Sequence, residues 1–410
     1  MNVDMRELTS DELRELVEDA HINFLLGAGA SSPMFRLLGD VENILTALEG
    51  ASDGNAKQCA KAAVYAGFFK SVVLKNRELL DRSTSANRLL GDYQAFLQTI
   101  NRLLLLRRSS ILNKRVNLFT TNIDVAIEVA SEALQLELND GFSGTFTRRF
   151  STSNFGSVIS RRSLQYDNLS EIPTFNLLKL HGSVSWATQE KALSNGEVQR
   201  EIVFDHGIEN VMRTSKALSE VSFELPQLTS DTTAESLLTT NNVTGNIDEL
   251  RGFLEAYTQL AIVNPTKSKF QQTVLNQNYY DLLRIFTNEL EKENAVLFVI
   301  GFSCRDEHIR ELMIRAARVN PTLQIIIFAY DSESADDIAA LFSNAPVTNG
   351  NIRVVGPQLT EAEAEAPKRY DLKTITSELF GRVAPIPPSR QPQIVEVKVA
   401  LPEPMAANNA

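Results

Sequence analysis

Asn23-Phe24-Leu25-Leu26-Gly27-Ala28-Gly29-Ala30-Ser31-Ser32 is the stretch of sequence that decides the fold. The apolar run from His21 to Leu26 predicts a buried strand, which ends abruptly in the glycine turn. Two hydroxyl side chains and Pro33 follow, a pattern that favours the first turn of a helix. A strand, a glycine turn and a helix N-terminus form a phosphate site, because the backbone can approach a pyrophosphate closely and unpaired N–H groups face it. A plain tight turn is the alternative, since the full Gly-x-Gly-x-x-Gly pattern is missing.

The composition bounds the class of protein. The chain has 410 residues, 43% hydrophobic and 22% charged, which suits one large α/β domain with insertions or two domains. Its net charge of −11 argues against direct binding of nucleic acid. Two distant cysteines, Cys59 and Cys304, argue against a disulfide framework and a structural zinc site, and fit a reducing cytoplasm. The charged N-terminal segment does not resemble a signal peptide, and no apolar run is long enough to predict a membrane span.

Further apolar runs predict the rest of a sheet. They are Val116–Thr120, Phe175–Leu180, Ala295–Ile300, Leu323–Ala329 and Ile352–Val355. Nearly continuous apolar strands that alternate with helical patterns are typical of a parallel sheet covered on both faces. We therefore predict an α/β fold with a doubly wound, Rossmann-like parallel sheet of about six strands.

Several segments lie outside this alternation. Residues 41–112 have a helical pattern, which is clearest from Ala86 to Leu106, and form a predicted helical insertion. Residues 139–170 predict an exposed loop region with short strands. Residues 188–247 form a polar insertion without a strong pattern, which we expect to be mobile and to act as a lid over the site or as a docking surface. Residues 1–384 would form the domain, and 385–410 an extended or disordered tail.

Polar and glycine residues follow four of the predicted strands. They are Gly27 to Ser31, Asn122 with Asp124, His181, and Gly301 with Ser303. In open α/β sheets ligands bind outside the carboxyl ends of the strands. Because four separate strands bring such residues to one edge, we predict the binding site there.

Three of these motifs resemble the sirtuin family. They are Gly-Ala-Gly-x-Ser after the first strand, Thr-x-Asn-Ile-Asp after a later one and Leu-His-Gly after a third, in that order. The segments 179–183 and 301–309 are more particular and resemble the sirtuin-like domains of bacterial anti-phage effectors. The resemblance covers roughly residues 20 to 330.

The resemblance implies an activity. Protein-deacylating sirtuins carry a zinc module with four cysteines, which a chain with two cysteines cannot build, and this puts deacylation in doubt. The effector branch lacks the zinc and is associated with destruction of NAD during infection. Some of its members are encoded beside a HerA-like hexameric DNA translocase and assemble with it. The resemblance therefore implies an NAD+ glycohydrolase of anti-phage defence, with NAD+ as substrate, no zinc and a HerA-like ATPase as partner.

The resemblance also implies roles for the residues at the sheet edge. Asn122 would position water or the ribose, and His181 would act as the base, since its ordinary pKa range suits proton transfer near neutrality. The residues that would bind NAD+ are Gly27, Ala28, Gly29, Ala30, Ser31, Asp124, Gly301 and Ser303. No pair of histidines has metal-ligand spacing, so no metal is predicted.

Two other functions stay open at this point. One is a protein deacylase or ADP-ribosyltransferase that uses the same pocket, and the other is a non-catalytic scaffold that senses NAD or ADP-ribose. The apolar stripe of Ala86–Leu106 exceeds what one sheet face obviously needs. We therefore also predict a closed homo-oligomer.

Overall fold

The structure is a computed structural model that describes residues 4–5, 8–32, 34–35, 41–107, 112–165, 167–192, 198–229, 231–239, 246–263, 277–343, 349–357 and 369–384. The predicted tail from residue 385 and Pro33 lie outside the described residues. So do residues 193–197, 230 and 240–245 of the predicted polar insertion.

Helices and strands alternate along most of the chain. The strands are β1 (His21–Leu26), β2 (Arg115–Thr120), β3 (Glu137–Asn139), β4 (Phe142–Ser143), β5 (Arg149–Phe150), β6 (Ser160–Arg162), β7 (Leu169–Glu171), β8 (Thr174–Lys179), β9 (Gly182–Ala192), β10 (Val198–Phe204), β11 (Leu260–Ile262), β12 (Ala295–Ile300), β13 (Gln324–Phe328) and β14 (Ile352–Val355). The helices are α1 (Ser10–Glu18), α2 (Val41–Glu49), α3 (Asn55–Phe68), α4 (Asn76–Leu80), α5 (Thr84–Leu106), α6 (Ala126–Ala133), α7 (Glu209–Ser219), α8 (Ala234–Thr239), α9 (Ile247–Thr258), α10 (Gln277–Leu290), α11 (Glu307–Val319), α12 (Ser332–Phe342), α13 (Leu372–Thr374) and α14 (Gly381–Val383). Two π-helical turns, Phe69–Val73 and Ile375–Phe380, continue α3 and α13.

Seven parallel strands form the main sheet in the order β14-β13-β12-β1-β2-β8-β3. All six predicted strands are present, which confirms the doubly wound parallel sheet. The seventh is the edge strand β3, which has three half-buried residues and is too short to show a pattern in the sequence. The chain runs from β1 through β2 to β8 and β3 on one side of the sheet, with the earlier strand β3 at the edge, and from β12 through β13 to β14 on the other side. The strand order therefore reverses between β1 and β12. Sheets of this kind bind ligands beside such a point.

Helices cover both faces of this sheet. Phe24 and Phe298 on one face pack in a buried cluster with α1, α5, α6 and Phe380 of the C-terminal π-helical turn. Leu25 and Phe119 on the other face belong to a second cluster with α10, α11 and α12. Burial on both sides explains why these strands are continuous apolar runs.

A row of asparagines crosses the interior of the main sheet. Asn117 donates to Asn23 at 2.8 Å, Asn176 donates to Asn117 at 2.9 Å, and Asn139 donates to Asn176 at 3.1 Å. The four residues stand directly opposite one another on β1, β2, β8 and β3. The amides therefore bond along the row, and only side chains that pair can be buried there at low free-energy cost.

A second, antiparallel sheet has five strands in the order β11-β9-β10-β5-β4. The sequence predicts short strands in residues 139–170, where β4 and β5 lie, but not the sheet, because its other strands lie in polar segments or have only three residues. Trp186 of β9 is buried in it, with ring centroids 5.0 Å from Phe150 and 5.8 Å from Phe142. Since β9 begins at Gly182, this sheet starts next to His181.

The described residues of the polar insertion 188–247 include regular structure, whereas residues 221–229 form neither helix nor strand. Its mobility and its role as a lid or docking surface stay predictions. It contains the end of the β9–β10 hairpin and the helices α7 and α8. Leu237 of α8 packs in a buried cluster with Ile44 and Leu45 of α2. Polar surface residues hide the hydrophobic periodicity of these short helices in the sequence. Apolar residues such as Leu237 pack against the helical insertion.

The apolar stripe of α5 packs against other parts of the same chain. Tyr93, Phe96, Leu97 and Ile100 are fully buried, and the Phe96 ring lies 5.1 Å from that of Phe24 on β1. The stripe therefore covers the sheet and does not support a subunit contact. The homo-oligomer stays a prediction without this argument.

Candidate active site

The carboxyl ends of four neighbouring strands meet at one level. Leu26 stands opposite Ile300 on one side and Thr120 on the other, and Thr120 stands opposite Lys179. The residues that follow these four are Gly27, Gly301, Thr121 and Leu180. The segments that the sequence analysis singles out therefore emerge side by side, in the spatial order β12, β1, β2, β8.

The glycine turn differs from the expected helix start. Residues Ala28–Ser31 form a single 3₁₀ turn, and a four-residue turn lacks the aligned peptide dipoles of a longer helix. The N–H groups of Gly27 and Gly29 donate to the carbonyl oxygens of Ile300 and Gly301, at 3.0 and 2.8 Å. The N–H of Ala30 donates to Gly27 at 3.0 Å. Three N–H groups expected to face phosphate are thus engaged inside the protein, and their contact with phosphate stays a prediction.

Close packing of two turns explains the glycines at this edge. Gly301 has a φ of +64°, and a Cβ placed on it would lie 2.2 Å from the backbone nitrogen of Ala30. A Cβ on Gly27 would lie 2.5 Å from the carbonyl oxygen of Gly301. Both positions therefore require glycine for packing, and for Gly301 the backbone conformation requires it as well.

Ser31 is the centre of a buried hydrogen-bond network and is 1% exposed. Its hydroxyl donates to Oδ2 of Asp124 at 2.8 Å and lies 2.9 Å from the hydroxyl of Tyr93. The amide nitrogen of Asn122 donates to Ser31 Oγ at 3.1 Å and to the carbonyl oxygen of Gly27 at 3.0 Å. The network therefore joins the ends of β1 and β2 to helix α5.

The loop after β2 is fixed by its own backbone. Oδ1 of Asp124 accepts from the N–H of Ala126 at 3.0 Å, at the start of α6. The N–H of Asn122 donates to the side-chain oxygen of Thr120 at 3.0 Å. Burial raises the pKa of Tyr93, and the nearby carboxylate of Asp124 raises it further, so the phenol stays protonated. Asn122 and Asp124 are both buried, and these hydrogen bonds hold them in place.

Lys179 is a residue of this region to which the sequence analysis gives no role. Its ammonium group is buried, lies 2.9 Å from Oε1 of Glu128 and donates to the backbone oxygen of Asp124. Burial raises the pKa of Glu128, while the attraction of Lys179 opposes the shift. The available signal is a lysine inside an apolar strand, since lysine is rarely buried without a partner.

His181 follows β8 and faces the other end of the site. Its Nε2 atom lies 3.4 Å from Oδ2 of Asp306, the N-cap residue of α11. Its carbonyl oxygen accepts from the N–H of Val263 at 2.9 Å, after β11. His181 thus stands where the two sheets meet. Asp306, for which the sequence leaves a helix N-cap and a ligand contact open, is an N-cap and lies beside this histidine.

The segment after β12 separates into an exposed and a buried part. Ser303 is exposed at the edge, as a ligand contact requires. Cys304 is fully buried, and burial raises the pKa of its thiol to about 12, so it is not a reactive nucleophile.

The contacts divide the expected site into two groups. Gly27, Ser31, Asn122 and Asp124 are joined by hydrogen bonds, and His181 is paired with Asp306. Within the described ranges, no three His, Cys, Asp or Glu side chains lie close enough together to hold a metal ion. None of the helices in the same ranges combines the length and the apolar character needed to cross a bilayer.

Comparisons with known proteins give a likeness among solved structures. No family model matches the chain, and no curated protein matches it. A solved structure concerned with the mechanism and regulation of Sir2 enzymes is similar at 14% sequence identity, over 91% of this chain and 96% of that chain, with a TM-score of 0.31. Fold class and candidate site therefore rest on the strand topology and the side-chain contacts described above.

Proposed function

We propose that the chain is an NAD+ glycohydrolase that cleaves the nicotinamide–ribose bond and depletes NAD in anti-phage defence. The observation that carries the proposal is the meeting of the three sirtuin-like motifs at one sheet edge, with Asn122 hydrogen-bonded to Gly27 and Ser31. These residues come from parts of the chain about a hundred residues apart, and their order along the chain matches that of the family motifs.

The chemistry requires little from the protein beyond position and a base. A water oxygen attacks C1′ of the ribose while the C1′–N bond breaks through an oxocarbenium-like state. Nicotinamide leaves as a neutral molecule with the electron pair of that bond. The proton of the attacking water passes to the imidazole of His181. Asn122 would hold the water or the ribose, and Asp124 would support the nicotinamide side.

The exposed part of the glycine turn would contact the pyrophosphate. Ala28 is exposed, whereas Gly27 and Ala30 are buried. The bonds from Gly27 and Gly29 to the β12 turn keep this backbone close to the strand-order reversal between β1 and β12. Ser31 would not contact the ligand itself but would orient Asn122 and Asp124 through its hydrogen bonds.

The test is release of nicotinamide and ADP-ribose from NAD+ by the purified chain, alone and with an associated ATPase. Asn122→Ala and His181→Ala should each abolish turnover while the circular dichroism spectrum stays unchanged. His206→Ala is the matched control, because His206 is exposed and lies in the second sheet region. Full activity of both site variants would exclude this mechanism. If the product were acyl-ADP-ribose or a modified protein, the chain would be a deacylase or an ADP-ribosyltransferase. Tight binding of NAD+ without turnover would favour a sensor.

We also propose that the protein works in the cytoplasm as a homo-oligomer with a HerA-like hexameric ATPase. The support is the likeness of segments 179–183 and 301–309 to effectors of that kind. Light scattering of the chain with and without the ATPase measures both assemblies. A strict monomer in both samples would contradict the proposal.

A further inference from the structure

Asp306 reaches His181 from a strand that is not its neighbour. β12 and β8 are separated by β1 and β2 in the sheet. Adjacent strands lie about 4.8 Å apart, so the ends of β12 and β8 are about 14 Å apart. Nevertheless, Oδ2 of Asp306 lies 3.4 Å from Nε2 of His181. Residues 301–306, the crossing segment, therefore span the distance from the end of β12 to the residue that follows β8, and they contact the turn after β1 on the way.

The crossing segment is held at several points. The carbonyl oxygen of Gly301 accepts from Gly29 at 2.8 Å, and that of Cys304 accepts from the guanidinium of Arg310 at 2.7 Å. Asp306 itself uses one carboxylate oxygen, Oδ1, as the N-cap of α11 by accepting from the N–H of Ile309 at 3.4 Å. Its other oxygen faces the imidazole. The helix cap therefore fixes the carboxylate whose second oxygen meets His181.

We infer that Asp306 is a positioning residue that sets the tautomer of His181. A carboxylate accepts hydrogen bonds only, so it favours the neutral imidazole that carries its proton on Nε2. The tautomer decides which ring nitrogen holds the lone pair that takes the proton in the proposed reaction. The role in turnover rests on the proposed function, whereas the tautomer does not.

One substitution can distinguish the effect of Asp306 on His181 from its effect as the N-cap of α11. Asparagine caps helices about as well as aspartate, so Asp306→Asn should keep α11 intact. With Oδ1 still capping, the new amide NH₂ would face Nε2 and favour the tautomer protonated on Nδ1. Asp331→Asn is the matched control, because Asp331 caps α12 by accepting from the N–H of Ser334 at 2.9 Å and lies away from His181.

The first measurement is the rate of nicotinamide release. We expect kcat of Asp306→Asn to fall by about 100-fold or more, because it loses general-base catalysis, with KM within about two-fold of wild type. Asp331→Asn should keep both constants. A kcat of Asp306→Asn equal to that of Asp331→Asn, or an effect confined to KM, would overturn the positioning role.

The second measurement does not depend on activity. Nitrogen-15 NMR of labelled histidine rings distinguishes the two neutral tautomers, and His181→Gln assigns the signal among the four histidines. Wild type and Asp331→Asn should show His181 protonated on Nε2, and Asp306→Asn should show it protonated on Nδ1. A wild-type signal from the Nδ1–H form would overturn the inference. An inactive protein with the Nε2–H form would instead contradict the proposed function and leave the pairing supported.

Discussion

Lys179 and Glu128 form a buried ion pair of 2.9 Å that also holds the loop of the candidate site, because the same ammonium group donates to the backbone oxygen of Asp124. Among the described residues, Oε2 of Glu128 has no hydrogen-bond partner. The pair therefore leaves one carboxylate oxygen uncompensated and depends strongly on the lysine.

Replacement of Lys179 by methionine should destabilise the protein by about 3–5 kcal/mol, because it leaves a carboxylate buried without its cation. The double variant Lys179→Met with Glu128→Leu should recover much of this loss. Urea unfolding followed by circular dichroism measures both. Lys191→Met is the control, since Lys191 pairs with Glu201 at 3.0 Å but is 55% exposed, and its loss should change stability by less than about 1 kcal/mol. Equal effects of the two single variants would contradict the prediction.

Gly301→Ala should damage both the fold and the site. The left-handed backbone alone costs about 1–2 kcal/mol with a side chain, and the clash with Ala30 adds about 1–3 kcal/mol. Gly350→Ala provides the comparison, because Gly350 has a φ of +62° and open space around a Cβ, against +64° for Gly301. Thermal unfolding should therefore show a larger loss for Gly301→Ala. Similar melting temperatures would mean that the two turns separate easily.

Asn117→Leu should destabilise the main sheet. The change leaves Oδ1 of Asn23 and the amide of Asn176 without their partner in the row, and each buried group left unsatisfied costs about 1–3 kcal/mol. Asn139→Leu, at the edge strand, removes one bond of the row together with the bonds to the carbonyl oxygen of Asn154 and the N–H of Gly141. It should still cost less, because Asn139 is only half-buried and water can replace its partners. Denaturant midpoints of the two variants decide the order, and a larger loss at Asn139 would contradict it.

His21 should make the protein less stable in mild acid. Burial lowers the pKa of His21, and the nearby ammonium of Lys292 lowers it further. The unfolded chain binds a proton at this histidine below about pH 6.5, whereas the folded protein binds it only at lower pH. Stability therefore falls as pH drops from that value toward the folded pKa. His21→Asn should reduce the difference between urea midpoints at pH 7.5 and 5.5, whereas the exposed-site variant His206→Asn should keep it.

The sequence predicts the main sheet well because its strands are buried on both faces and their apolar runs are continuous. It also predicts which loops meet, since the carboxyl ends of parallel strands share an edge. The pairings inside the site are harder to predict. Asp306 meets His181 only because a loop crosses two strands, and Ser31 turns inward only because Tyr93 and Asp124 surround it. Such contacts depend on tertiary geometry that no local pattern contains.

The asparagine row also sets the level at which the strands reach the candidate site. Asn23, Asn117 and Asn176 each stand three residues before the last residue of their strand. From this row, β1, β2 and β8 therefore extend by the same number of residues to the candidate site. A residue inserted between an asparagine and its strand end would lift one loop by about 3.3 Å relative to its neighbours. Changes in strand length therefore keep the candidate site level only where they lie in the loops or before the asparagine row.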